Sequence, residues 1–187
     1  MEKGKLIILS GPSGVGKGTI RNFLMQDKEL DLRFSISMTT RKPREGEIDG
    51  REYFFVSQEE FDEALKNDEL LEHAIFVNNS YGTPKKYVDK LLNEGHNVLL
   101  EIETLGAAQV MEKYRTYGYI SIFLTCNSLE ELEKRIRGRR SEPDDVVKQR
   151  LKKAEAELKL KDNYQFVVIN DDKERAANEI IKIIKNN

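Results

Sequence analysis

The chain has 187 residues, 39% hydrophobic and 34% charged, which is enough apolar material for one core and too little length for an array of domains. Its 31 Lys and Arg against 33 Asp and Glu leave a formal charge of -2, excluding the global positive field that holds a protein on nucleic acid or an anionic membrane. One cysteine, Cys126, and two histidines, His73 and His96, exclude a disulfide framework and a His-rich metal cluster, and a reducing cytoplasm is the expected setting.

In chain order, strand-like runs alternate with helical patterns, which marks a parallel sheet covered by helices. KLIILS (5–10) is the first run, and it passes through a glycine-rich turn into a helix expected from about Gly16 to Met25, with Ile20, Phe23 and Leu24 on one face. From 34 to 84 the pattern changes: short β-favouring pieces such as REYFFV, turn signals at Glu45-Gly46 and Asp49-Gly50, and one helix near Gln58 to Lys66 predict an inserted lobe. HNVLLEIE (96–103), YISIFLTC (119–126) and FVVIN (166–170) are the further strands. Ser128 and Glu131 have the spacing of a capping box, opening a helix that carries Leu129, Leu132 and Ile136. Pro143 opens another through Val147, Leu151, Ala154 and Leu158, and a last one starts near Lys173 with Ala176, Ala177, Ile180, Ile181 and Ile184. The first residues lack a basic region followed by a cleavage site, and no apolar stretch reaches about 18 residues, so neither export nor a membrane span is expected.

The segment GPSGVGKGT, Gly11 to Thr19, lies where the first strand hands over to the first helix. Gly11, Gly14 and Gly16 let backbone N–H groups converge on an anion, the helix N-terminus adds partial positive charge, and Lys17 can reach the β- and γ-phosphates of a nucleotide. The strict pattern wants Ser or Thr after the lysine as a magnesium ligand, and here Gly18 stands there, with Thr19 next. In FSISMTTRKPREGEIDGREYFF (34–55), Arg41 and Arg44 flank Lys42-Pro43, whose proline turns the backbone from helix so that two guanidinium forks can converge on one small dianion. Tyr53 and Tyr81 add neutral donors, and LLEHAIFVNNSYGT places Glu72 and Thr83 in the same lobe, with Ser37 close to the arginines in sequence.

With these segments in this order, the chain resembles the guanylate kinase family from end to end: the phosphate loop, SMTTRKPREGE, NSYGT, LLEIE, the stretch from GRRSE to QR, and VIND. The resemblance implies an α/β phosphate-loop NTPase fold with a five-stranded parallel sheet, an inserted mixed α/β lobe for GMP and a small helical lid. It implies a core of residues 1–33, 85–137 and 151–187, a lobe of 34–84 and a lid of 138–150. It implies that Gly11, Pro12, Ser13, Gly14, Val15, Gly16, Lys17, Gly18 and Thr19 hold ATP, with Asn170 and Asp171 near its adenine. Ser37, Glu72 and Thr83, with Gly82 beside them, would surround guanine; Arg41, Arg44, Tyr53 and Tyr81 would hold the GMP phosphate; Glu101 and Glu103 would face GMP or the magnesium shell. Lys17, Arg41, Arg139 and Arg150 would carry catalysis, with the parts of Arg137 and Arg140 left open.

The implied activity is transfer of the γ-phosphoryl group of ATP to GMP, and to dGMP, with magnesium held by ATP phosphates and water. Elementary chemistry agrees, because a phosphate monoester attacks through an oxygen that is already anionic and needs no general base. The difficulty is to bring a dianion beside a polyanion, which calls for fixed positive charge on both sides, supplied by Lys17, Arg41, Arg44, Arg139 and Arg150. Guanine presents N1–H and an N2 amine on one edge, a donor pair that suits the Glu72 carboxylate, while Ser37 and Thr83 can serve its remaining polar atoms. Two rivals remain: a non-catalytic interaction module of the same fold, opposed by Lys17 and the complete glycine loop, and a kinase for another monophosphate, opposed by Glu72. The expected partners are the two nucleotides, with neither nucleic acid nor membrane, and the sequence leaves the oligomeric state open.

Overall fold

The computed structural model describes residues 3–76, 78–138 and 143–187. Along the chain, β1 (Leu6–Ser10) leads to α1 (Lys17–Leu24), β2 (Leu32–Phe34), β3 (Met38–Thr39), β4 (Phe54–Phe55), α2 (Gln58–Lys66), β5 (Leu70–Phe76) and β6 (Asn79–Pro84). There follow α3 (Lys85–Asn93), β7 (Asn97–Glu101), α4 (Thr104–Lys113), β8 (Ile120–Thr125), α5 (Leu129–Arg137), α6 (Asp144–Leu158), β9 (Phe166–Ile169) and α7 (Lys173–Asn186). Five strands form one sheet in the order β2-β7-β1-β8-β9, and every pairing in it is parallel. Its fifth strand, β2, is absent from the sequence-based reading, where the run Leu32-Arg33-Phe34 is too short to show a pattern.

Both faces of this sheet are buried, which is why its central strand is apolar without alternation. On one side Ile7, Leu9, Leu99, Ile122 and Leu124 meet Ile20 and Leu24 of α1, Leu132 and Ile136 of α5, Ala154 of α6 and Ile180 of α7. On the other, Leu6, Ile8, Val98, Leu100 and Phe123 meet Val88 and Leu92 of α3 and Ala107 and Val110 of α4. Of these helices, α1, α5, α6 and α7 show the apolar spacings expected from the sequence, whereas α3 and α4 are absent from that reading, and the expected inserted segment carries a second sheet, β4-β3-β6-β5, with a small core of its own at Phe61, Ala64 and Leu70.

One local expectation changes. The reciprocal capping box forms at Ser57 and Glu60, at the head of α2. At α5 only half of it forms, Ser128 Oγ accepting from the Glu131 N–H, because the Glu131 carboxylate instead pairs with Arg135. The central position of β1 places its carboxyl end at the crevice where strand order runs outward to both sides, the usual ligand site of an open parallel sheet.

Candidate functional site

At that carboxyl end the chain turns through Gly11, Gly14 and Gly16, each with positive φ, and enters α1 at Lys17. All three are also short of space: a Cβ on Gly11 would lie 2.2 Å from the Leu124 carbonyl oxygen, one on Gly14 2.8 Å from Ile136 Cγ1, and one on Gly16 2.6 Å from Asn170 Nδ2. The Lys17 ammonium donates to the carbonyls of Gly11 at 2.6 Å and Pro12 at 3.1 Å, curled over the loop it belongs to. Burial lowers its pKa, opposed by the carboxylates of Glu101, Glu157 and Glu103.

Around the loop the structure brings in Arg135, which sequence reasoning missed, and gives Asn170 a bracing part beside the adenine-side place expected for it. Asn170 is buried, and its amide donates at 2.8 Å to the Val15 carbonyl, which also accepts from Arg135 Nη1 at 3.2 Å. Arg135 Nη2 reaches the Asn170 carbonyl at 2.6 Å, so α5 and the end of β9 brace the loop together. The Asn170 side chain is thus spent on the loop, while Asp171 pairs with Arg175. Both still line a cavity of about 410 Å³ with Gly14, Gly16, Thr19, Arg135, Asp172 and Lys173, beside the glycine loop.

From α6, Arg150 Nη2 donates to Ser13 Oγ at 2.9 Å. Two turns further along that helix, Glu157 is buried at 6% exposure, and the Ser13 backbone N–H faces its carboxylate. Among the described residues its Oε2 has no hydrogen-bond partner, and burial pushes its pKa up. Arg139 and Arg140 lie outside the described residues; Arg137 is tied on the surface to Glu133 and Asp144.

The second sheet gathers the other candidates. Arg41 lies over the rings of Tyr53 and Phe55, 5.3 and 5.7 Å from their centroids. Both arms of its guanidinium are held by one carboxylate, Nη1 to Glu47 Oε2 at 3.0 Å and Nη2 to Glu47 Oε1 at 2.9 Å, and the Arg44 backbone N–H donates to the same Oε2 at 2.7 Å. The expected convergence of two guanidinium forks is therefore replaced by one fork and one backbone amide meeting on Glu47, with the Arg44 side chain exposed. Tyr81 packs edge-on to Tyr53 at 6.0 Å, and Ser37, just before β3, accepts the Phe54 N–H on its carbonyl at 2.9 Å.

Glu72 is placed by an irregularity in the β5–β6 hairpin. Leu70 pairs with Pro84 and His73 with Gly82, so two residues of β5 face the single Thr83. Such a bulge breaks the inward–outward alternation and re-aims a side chain. Leu70, Leu71 and Glu72 are accordingly buried in succession. Thr83 Oγ1 donates to Glu72 Oε1 at 2.6 Å, and Gly82 keeps the hairpin close to Leu70, whose Cδ1 would stand 3.0 Å from a Cβ there. Burial raises the Glu72 pKa against the opposing Thr83 hydrogen bond, and Glu103 adds to the rise.

Glu101 ends β7 level with Leu9 and pairs with Arg21 of α1 at 3.0 Å; Glu103, exposed at the head of α4, pairs with Lys153 at 2.8 Å. A Cβ on Gly18 would lie 3.8 Å from Glu101 Oε1, so that carboxylate looks across the position where the strict loop carries a hydroxyl. Among the described residues no group of three or more His, Cys, Asp or Glu is arranged to hold a metal ion, and no helix is long and apolar enough to cross a membrane.

A glycine loop with a curled lysine, set at the carboxyl end of the central strand of a parallel sheet, defines a phosphate-loop nucleotide-binding protein of the α/β class. The family profile described as guanylate kinase matches residues 3–187. The guanylate kinase of Mesoplasma florum is 56% identical over 182 residues, which make up 97% of this chain and 61% of that relative. That of Malacoplasma penetrans is 50% identical over 98% of this chain and 93% of its own length. A solved guanylate kinase from Anaplasma phagocytophilum superposes with a TM-score of 0.75 at 34% identity, covering 99% of this chain and 86% of that one. The chain belongs to the guanylate kinase family, while spanning about three fifths of the length of the Mesoplasma relative and of its two Mycoplasma counterparts.

Proposed function

We propose that the chain transfers the γ-phosphoryl group of ATP to GMP, giving ADP and GDP. The carrying observation is the buried Glu72 carboxylate, fixed on one oxygen by Thr83 in a lobe that also holds Arg41 and two tyrosines, in a chain whose core presents a phosphate loop. A buried acceptor with its geometry fixed matches the donor pair of guanine and mismatches adenine.

In this reading, Glu47 occupies the Arg41 fork as a carboxylate standing in for phosphate oxygens, and the GMP phosphate exchanges with it. Lys17 leaves the Gly11 and Pro12 carbonyls to follow charge onto the transferring group, and Arg150 turns from Ser13 toward the same phosphates. Magnesium enters with ATP as part of the substrate, held by phosphates and water, since Gly18 offers no hydroxyl. Glu101 and Glu103 take part through water. Residues 34–84 and 138–150 close on the core (1–33, 85–137 and 151–187), Arg139 joining from the lid, to exclude water from the reacting phosphates. The cytoplasm, where nucleotides and reduced thiols coexist, is the proposed setting.

A coupled assay of ADP release with GMP, AMP, CMP, UMP and dTMP tests the proposal. GMP should be preferred by at least about a hundredfold in kcat/KM, the scale set when a site built for hydrogen bonds meets an analogue that lacks them. Lys17→Ala should lower kcat by about a thousandfold with an unchanged melting temperature. No turnover with any monophosphate, despite intact fold and nucleotide binding, would favour the interaction-module reading.

A further inference from the structure

Gly106 stands in the first turn of α4, buried, and its backbone is helical, so no left-handed conformation calls for glycine there. In a helix glycine is less favourable than alanine, because it loses more backbone freedom on folding. Its presence therefore needs a reason in packing. A Cβ built on Gly106 would lie 2.7 Å from Glu72 Oε2 and 3.3 Å from both Cδ and Cγ of the same side chain. The three atoms nearest that missing methyl group, outside the helix's own backbone, all belong to Glu72. The other carboxylate oxygen, Oε1, is held at 2.6 Å by Thr83, and Glu72 as a residue is 8% exposed, so a displaced carboxylate cannot swing freely into water. The slot also sets the carboxylate against the head of α4, where the first N–H groups lack intrahelical acceptors and Glu103 supplies no side-chain cap.

We infer that Gly106 is a positioning residue for base recognition: by having no side chain, it leaves the slot in which the Glu72 carboxylate lies anchored through Oε1 on Thr83, with Oε2 and the second lone pair of Oε1 available to the base. This rests on the proposed GMP site and extends it, because it assigns orientation of the recognising group to a residue with no expected contact to the nucleotide. The Cβ of an alanine would push Oε2 out of the slot and turn the carboxylate plane about the Thr83 hydrogen bond, spoiling two-point acceptance from guanine.

The test is calorimetric titration of GMP and ATP into the full chain and into Gly106→Ala, Glu72→Asp and the double variant, with melting temperatures. GMP affinity should fall about tenfold or more in Gly106→Ala, with ATP affinity within twofold and a single cooperative melt showing that the variant folds, the helix gain from alanine being opposed by the cost of displacing the carboxylate. Against Glu72→Asp, whose carboxylate is shorter by one methylene and retreats from the slot, the same Gly106→Ala change should cost less than threefold. Unchanged GMP affinity in Gly106→Ala overturns the inference, as does an equal loss on both backgrounds or a parallel loss of ATP binding. Failure of the unaltered chain to bind GMP while it binds ATP overturns the GMP reading itself, and the inference with it.

Discussion

Replacing Glu72 by Gln changes charge and one hydrogen-bonding sense while keeping shape, and the structure indicates how the amide would sit. Thr83 Oγ1 donates to the position of Oε1, so the amide oxygen belongs there and the NH2 group takes the position of Oε2 beside Gly106. The reversed amide would set its NH2 group 2.6 Å from the hydroxyl and lose the donor's acceptor, unless Thr83 turned its own hydrogen away. Either orientation leaves an N–H opposite one of the two guanine donors. The loss combines a charge-assisted hydrogen bond with an unpaired buried donor, about 2–4 kcal/mol in all, or roughly 30- to 1000-fold in kcat/KM for GMP. AMP should gain relative to GMP, because glutamine offers both a donor and an acceptor to the N6 and N1 edge of adenine. The assay is ADP release at limiting GMP and, separately, limiting AMP, with the KM for ATP as the control for the phosphate loop. An unchanged ratio of kcat/KM for GMP over AMP would refute the reasoning and reduce Glu72 to a structural carboxylate.

Burial raises the Glu72 pKa, so its protonation begins at higher pH than for an exposed glutamate, and the neutral acid cannot accept from both guanine donors. The KM for GMP should rise as pH falls through that raised value, approaching tenfold per pH unit below it, and Glu72→Gln should remove this limb; GMP's own phosphate titrates equally in both proteins, so a limb of equal size in the variant would count against the assignment. Glu157 also has a raised native pKa from burial, so its stabilising contribution is fullest below the ordinary carboxylate range and is lost as pH rises through the raised value. Glu157→Gln should therefore hold or raise the melting temperature at pH 7.5, by about 2–4 °C if about 1 kcal/mol of desolvation is relieved, and a fall of that size in thermal melts would show that the charge is paid back by its neighbours. Gly18→Ser should fold normally, since its Cβ would have only van der Waals neighbours at 3.8 and 3.9 Å, and should leave the magnesium concentration for half-maximal activity within about twofold. A large drop in that concentration would show that a loop hydroxyl can capture the metal ATP brings.

The parts of this protein that were legible in its sequence are those fixed by short-range rules. The phosphate loop was one, because glycine at Gly11, Gly14 and Gly16 marks backbone that other residues rarely adopt, and all three have positive φ. Helices α1, α5, α6 and α7 followed from apolar spacing, while α3 and α4 went unread, and four of the five core strands followed from apolar runs long enough to register. The fifth, Leu32–Phe34, has three residues and acquires its identity only by pairing with Asn97–Leu99. At α5 the box spacing was right but Arg135, one turn on, competes for the Glu131 carboxylate; the same arginine then reaches the Val15 and Asn170 carbonyls across the fold. Glu47 was in plain view three residues after Arg44, yet only the turn that folds Arg41 back over Tyr53 makes it the shared acceptor of the Arg41 guanidinium and the Arg44 backbone N–H.

Glu72 illustrates the division most sharply. Composition makes an isolated glutamate a surface residue, since an unpaired buried charge is costly. Its burial depends on a one-residue irregularity between β5 and β6, on a threonine eleven positions away, and on the missing side chain of Gly106 in a different layer of the fold. None of these is a local property of the residues around it. The sequence by itself determined which backbone could wrap a phosphate and which faces must be covered, because those follow from conformational freedom and apolar period. Which charges end up buried, and what holds them there, was decided by contacts between distant segments, because the cost of removing a charge from water is set by every group that surrounds it.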